Sequence, residues 1–80
     1  MVGACVFIQV AASTQWSEAA AMHTALHGVP GVKGVYFLMG PTDIVLFIEA
    51  ADQKALMETL GKVRAVKGVA STDSRTILPV

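Results

Sequence analysis

Few residues in this chain of 80 have the chemistry of a site, and they fall in three places. The first is Gly40-Pro41-Thr42-Asp43, a polar knot between the apolar runs that end at Met39 and begin at Ile44. An aspartate in a turn bonds nearby backbone amides. The same carboxylate can instead pair with a ligand ammonium through a charge-assisted hydrogen bond. The amides around Met39, Gly40, Thr42 and Asp43 are donors that a ligand carboxylate would need. Gly40 lets a ligand approach the chain closely, and Pro41, which has no N–H, pre-sets the turn. On residue type alone the turn is the simpler reading of Asp43. The second place is a run of hydroxyls, Ser71, Thr72, Ser74 and Thr76. For any one of them a polar edge strand is the simpler reading; together they can offer hydroxyls to a ligand held by a neighbouring subunit. The third is His23 and His27, four apart and so on one face of a helix. No third ligand or glutamate follows, as a metalloprotease motif demands, and the pair reads as a solvated helix flank.

Other candidates for chemistry are weaker. Cys5 stands alone, so no intrachain disulfide can form. Within Ala4-Cys5-Val6-Phe7-Ile8 it reads as a small buried hydrophobe. Gly61-Lys62 lacks the upstream glycine and the Ser/Thr of a phosphate loop. Asp43 and Glu49 are not marked as an acid/base couple. The sequence thus predicts no catalytic residue, no metal and no cofactor.

The elements that must position these residues are legible from periodicity. Residues 3–11 read as a strand rich in Val, Phe and Ile. Ser13 or Thr14 can cap a helix, whose stripe is Trp16, Ala19, Met22, Leu26 and Val29. Gly28, Pro30 and Gly31 end it. Residues 32–39 and 44–50 form two strands joined tightly at Gly40–Asp43, hence an antiparallel hairpin. Asp52 caps a second helix with the stripe Leu56, Leu60, Val63 and Val66, Met57 beside it. Gly61 weakens that helix by about 1 kcal/mol. Gly68 ends it, and residues 69–78 form a last, polar strand. Val29-Pro30-Gly31-Val32 and Val66-Lys67-Gly68-Val69 echo each other. The order βαββαβ predicts an α+β, ferredoxin-like fold: a four-stranded antiparallel sheet with two helices on one face. Its usual topology puts the first and third strands, the most apolar here, in the centre, and the polar last strand at an edge.

Composition limits the rest. Eighty residues make one domain, taken as 1–80. Apolar residues are 54% and charged residues 15%, against about 25% charged in ordinary soluble domains. Six basic and six acidic residues cancel, leaving no electrostatic footprint for nucleic acid. No signal peptide is evident, and no apolar run nears the roughly 18 residues of a membrane span. A cytoplasmic location is expected.

Two helices cover one face of such a sheet, so the other should be polar if it meets water. Here both faces are apolar. Ala4, Val6, Ile8 and Val10 alternate with Cys5 and Phe7; Val35 and Phe37 with Tyr36 and Leu38; Ile44, Leu46 and Ile48 with Val45 and Phe47. A twofold dimer with sheets packed face to face would cover the surplus. Val6, Ile8, Val35, Phe37, Val45 and Phe47 are the candidate interface residues; alternation alone leaves open which face is the dimer face.

Taken together, "PGVKGVY" at 30–36 and "GPTDIV" at 40–45, with Ala4–Val10, Glu49-Ala50-Ala51-Asp52, Gly68-Val69 and Thr76-Ile77-Leu78, resemble the ligand-binding (RAM) domain of the Lrp/AsnC, or leucine-responsive, transcription regulators. The resemblance spans nearly the whole chain. It implies a βαββαβ fold of the dimeric α/β-barrel type, a homodimer that assembles further into rings such as octamers, and an amino acid or related metabolite bound between dimers near the hairpin between the second and third strands. It shifts the weight at Asp43 from turn towards site. The implied ligand residues are Met39, Gly40, Pro41, Thr42 and Asp43, with Thr72, Ser74 and Thr76 from the last strand. The family often has an aromatic residue before the aspartate, where this chain has Thr42, and a small polar residue at Met39; both departures bear on ligand preference. With no helix-turn-helix ahead of its first strand, the chain is expected to be a stand-alone form, linked to transcription regulation but not binding DNA by itself.

Two other readings stand beside this sensor. One is a small dimeric α/β-barrel enzyme of monooxygenase or cyclase type, for which only Tyr36 and Gln9 offer inward polar groups. The other is a ligand-free assembly partner of full-length Lrp/AsnC regulators.

Overall fold

The computed structural model describes residues 2–11, 16–38 and 42–77. The chain runs through β1 (Val2–Val10), a 3-10 turn (Trp16–Glu18) leading into α1 (Ala19–His27), β2 (Val32–Phe37), β3 (Ile44–Ala50), α2 (Gln53–Arg64) and β4 (Val69–Ile77). The strands form one antiparallel sheet in the order β2-β3-β1-β4. The two most apolar strands are central and the polar β4 is an edge, as the ferredoxin-like reading requires.

The start of α2 and the ends of both helices have local causes. Asp52 is extended, and its Oδ1 accepts a hydrogen bond of 2.8 Å from the Ala55 N–H. That satisfies one of the orphan donors of the first turn of α2. At α1 the capping position is Glu18, whose side chain makes no cap bond. Ser13 and Thr14, the caps expected from sequence, lie outside the described residues. Both helices return to the sheet through the same turn. The Val32 N–H bonds to the Val29 carbonyl, and the Val69 N–H to that of Val66, at 3.2 Å each. Gly31 and Gly68 occupy the third positions at φ of 97° and 98°, where a type II turn needs a left-handed residue. Gly28 is not the left-handed one; it sits at φ −75°. The sequence echo is therefore a structural repeat.

Side chains sort cleanly by face. Ala4, Val6 and Ile8 of β1, Ile44, Leu46 and Ile48 of β3 and Val35 of β2 point to the helices. There they pack with Met22 and Leu26 of α1 and Leu56, Leu60 and Val63 of α2. Val66 and Val29 pack at the margin of this core, while Met57 is exposed. Thr59 is the buried polar residue among those described; its hydroxyl lies 3.1 Å from the Ala55 carbonyl and 3.4 Å from that of Pro30, fastening α2 to the first turn.

This sorting corrects the expected interface. Val6 and Ile8 are completely buried within the monomer, and Val35 nearly so, all under the helices. They cannot also face a partner. Phe37 lies opposite Ile44 on the same side and presents its ring to His23 of α1, centroids 5.6 Å apart. Of the six residues, only Val45 and Phe47 belong to the uncovered face. The alternation was right, but the six mixed its two phases.

Candidate functional site

Asp43 is held at the rim of the sheet by three bonds. Its N–H donates to the Ile8 carbonyl (3.0 Å), its carbonyl accepts from the Leu38 N–H (2.7 Å), and its carboxylate Oδ2 accepts from the Val10 N–H (2.9 Å). The last bond falls where a ladder ends: Ile8 with Ile44 is the last β1–β3 pair, so Val10 has no strand partner on that side, and the Asp43 carboxylate supplies one. The turn reading of Asp43 is thus physically fulfilled, although the amide it satisfies is on β1 rather than in its own turn. Its own N–H is committed to Ile8 and is no donor for a ligand. Among the described residues nothing bonds Oδ1, so that half of the carboxylate remains for a ligand cation.

The other expected ligand residues divide. Met39, Gly40 and Pro41 lie outside the described residues. Thr42 is half-buried and lines an open depression of about 420 Å³, whose wall also includes Thr72. The Thr72 side chain stands opposite Ile8 on the helix side, where Oγ1 accepts from Arg64 Nε of α2 at 3.1 Å. Ser74 and Thr76 do not reach this depression. They lie opposite Val6 and Ala4, on the helix side of the sheet. Ser74 Oγ is buried with no hydrogen-bond partner among the described residues.

Of the rest of the depression, sequence reasoning named Ser71 among the hydroxyls and Gln9 for the enzymatic reading alone, and did not assign Phe7, Asp73 and Arg75. The signal was available in the topology. Once β4 is antiparallel to β1, Ser71 stands opposite Gln9 and Asp73 opposite Phe7, all on the open face. Asp73 and Arg75 form an ion pair of 3.1 Å, and the Arg75 guanidinium stands 5.7 Å from the centroid of the Phe7 ring. Both charges are well exposed, so the pair adds little to stability. It does place an acceptor for an ammonium and a donor for a carboxylate beside an apolar ring.

The remaining candidates are structural in setting. The His23 and His27 rings are 4.5 Å apart, and no group of three His, Cys, Asp or Glu side chains suited to a metal occurs among the described residues. Cys5 is half-buried on the open face rather than within the core. Among the described residues no helix is long and apolar enough to cross a membrane.

Residues 5–79 match the Lrp/AsnC ligand binding domain family. The chain belongs to that family. The sequence resemblance is confirmed by this match over almost its full length. Two solved structures superpose closely on this domain. A protein of Thermus thermophilus is 23% identical with a TM-score of 0.82, covering 100% of this chain and 96% of its own. The feast or famine regulatory protein from M. tuberculosis, complexed with L-methionine, is 28% identical with a TM-score of 0.79. There the superposition covers 100% of this chain and 52% of the regulator. A homocitrate synthase of Sulfurisphaera tokodaii is 42% identical over 50 residues, 62% of this chain and 11% of the synthase. The Lrp/AsnC domain thus spans about half of the regulator and about one tenth of the synthase.

Proposed function

We propose that this domain is a sensing and assembly module that binds an amino acid or a related small metabolite at the Thr42–Asp43 rim and is linked to transcription regulation. The observation that carries the reading is membership of a ligand-binding family over residues 5–79. The L-methionine complex of a 28% identical regulator supports an amino acid as the ligand class. Asp43 suits the α-ammonium through Oδ1 while Oδ2 stays on Val10. Thr42 adds a hydroxyl, and Thr72, Ser74 and Thr76, which stand opposite Ile8, Val6 and Ala4 on the helix side, are not part of this site. With balanced charge the domain does not bind DNA by itself. It meets DNA through full-length Lrp/AsnC partners.

Assembly belongs to the same reading. Tyr36 and Phe47 lie on the open face, 55% and 40% exposed, with ring centroids 6.0 Å apart. The Tyr36 ring covers Gly34, where an added Cβ would come within 3.0 Å of it. Together with Cys5, Phe7 and Val45 they form the apolar area that a second copy covers in a cytoplasmic homodimer, which then builds larger rings. An enzymatic reading draws no support from the layer between sheet and helices, which is filled by apolar side chains.

Calorimetry against the twenty amino acids tests the sensor, with Asp43→Asn as the control. Saturable binding of at least one amino acid, weakened in the folded variant, is expected. Silence towards all twenty would sink the amino-acid reading and leave the ligand-free assembly partner.

A further inference from the structure

We propose that β4 is an interface strand, pairing antiparallel with the β4 of a second copy of this chain about a twofold axis at Ser74. The proposal concerns a different surface from the open sheet face and does not depend on a ligand.

β4 is an outermost strand with β1 on one side only. It is nine residues long, and its register with β1 is unbroken from Ser71 to Ile77. Edge strands are normally protected by shortness, lysine, proline or a central bulge. The opposite edge, β2, follows that rule: it has six residues, with Lys33 at a break in its register. The described part of β4 has no proline or lysine, and its irregularity lies at its very start.

The sequence of β4 is complementary to its own reverse. A twofold axis perpendicular to the sheet keeps the helices of both copies on one side. It must pass through a residue rather than between two, because only then do opposed side chains share a face. Centred on Ser74, the pairing sets Asp73 opposite Arg75 of the second copy, Arg75 opposite Asp73, and Thr72 opposite Thr76. Opposite charges and threonine pairs are favourable cross-strand neighbours. Centring on Asp73 or Arg75 would oppose like charges. The Ser74 axis also engages the whole regular stretch from Ser71 to Ile77.

The Asp73–Arg75 pair, 3.1 Å within one strand, already holds its charges on the open face, where a second copy can exchange them.

Charge reversal provides the test, read by sedimentation equilibrium. Asp73→Arg and Arg75→Asp each oppose like charges twice across the axis. Each alone should weaken this self-association step by about tenfold or more. Mixed in equal amounts they are complementary at both positions, and a heteromeric assembly should return. A loss that mixing does not restore, or no loss at all, overturns the proposal. The unaltered protein supplies a second measurement: amide protons of Ser71–Ile77 that face away from β1 should gain exchange protection as concentration rises. Exchange independent of concentration overturns it equally.

Discussion

Replacing Asp43 separates its two roles. Asp43→Ala removes the acceptor from the Val10 N–H, a 2.9 Å bond in a half-buried setting at the end of β1. A hydrogen bond to a charged group is worth about 1.5–3 kcal/mol. Water can reach part of this site, so the cost should fall near ~1–2 kcal/mol. For a chain of this size that lowers Tm by roughly 5–15 °C. Asp43→Asn keeps an oxygen acceptor for Val10 and should cost less than about 1 kcal/mol, yet it removes the charge needed by an ammonium. Thermal and urea unfolding followed by circular dichroism measure both. Wild-type stability in the alanine variant would refute the clamp, as would an asparagine variant as unstable as the alanine one. If the clamp is right, the asparagine variant is the proper control for ligand binding, because loss of affinity there cannot be assigned to a damaged rim.

Three other substitutions have outcomes that follow from the packing. Gly61→Ala should raise stability by about 0.5–1 kcal/mol in urea unfolding, since a Cβ there meets nothing within 4 Å and glycine is a poor helix former. Gly31→Ala should cost more than about 2 kcal/mol by the same assay: the left-handed conformation alone costs about 1–2 kcal/mol, and the Cβ would stand 2.8 Å from the Glu49 carbonyl oxygen. Phe47→Glu, on the open face, should leave the circular dichroism spectrum unchanged and halve the mass of the smallest assembly in light scattering. An unchanged mass would remove Phe47 from the dimer contact.

The fold was legible because its signals are local. The stripes Met22–Leu26 and Leu56–Leu60–Val63 set the inner faces of the helices, and Asp52 marked the start of α2. The echoing glycines marked both returns to the sheet, although Gly31, not Gly28, carries the left-handed turn. The site was only half legible. Asp43 and Thr42 stand out in sequence, but Phe7, Gln9, Asp73 and Arg75, which line the depression with Thr42, are distant in the chain and meet only through the β1–β4 register. The interface was misread for a related reason. Period-two alternation sorts side chains into two sets within each strand, but pairing and helix placement decide how the sets combine between strands. Val6 and Phe47 both looked like interface residues; only the register shows that they lie on opposite sides.

The repeat shows where function has room to enter. In each half a valine-flanked turn carries a left-handed glycine, and that glycine's carbonyl accepts an N–H from the end of a central strand: Gly31 from Glu49 and Gly68 from Ala11, both at 2.8 Å. Two residues after each glycine the ladder slips, at Lys33 and at Ala70. Beyond that point the halves diverge. Where β2 carries Tyr36 and Phe37, β4 carries Asp73 and Ser74. The scaffold is therefore nearly twofold, but its edges are not equivalent: one is short and aromatic, the other long, polar and self-complementary. Asp43 belongs to this asymmetry. It fills the rim where the hairpin meets the end of β1, and its backbone and carboxylate bind the two together. A ligand at Oδ1 would touch the residue that ties the hairpin to the end of β1.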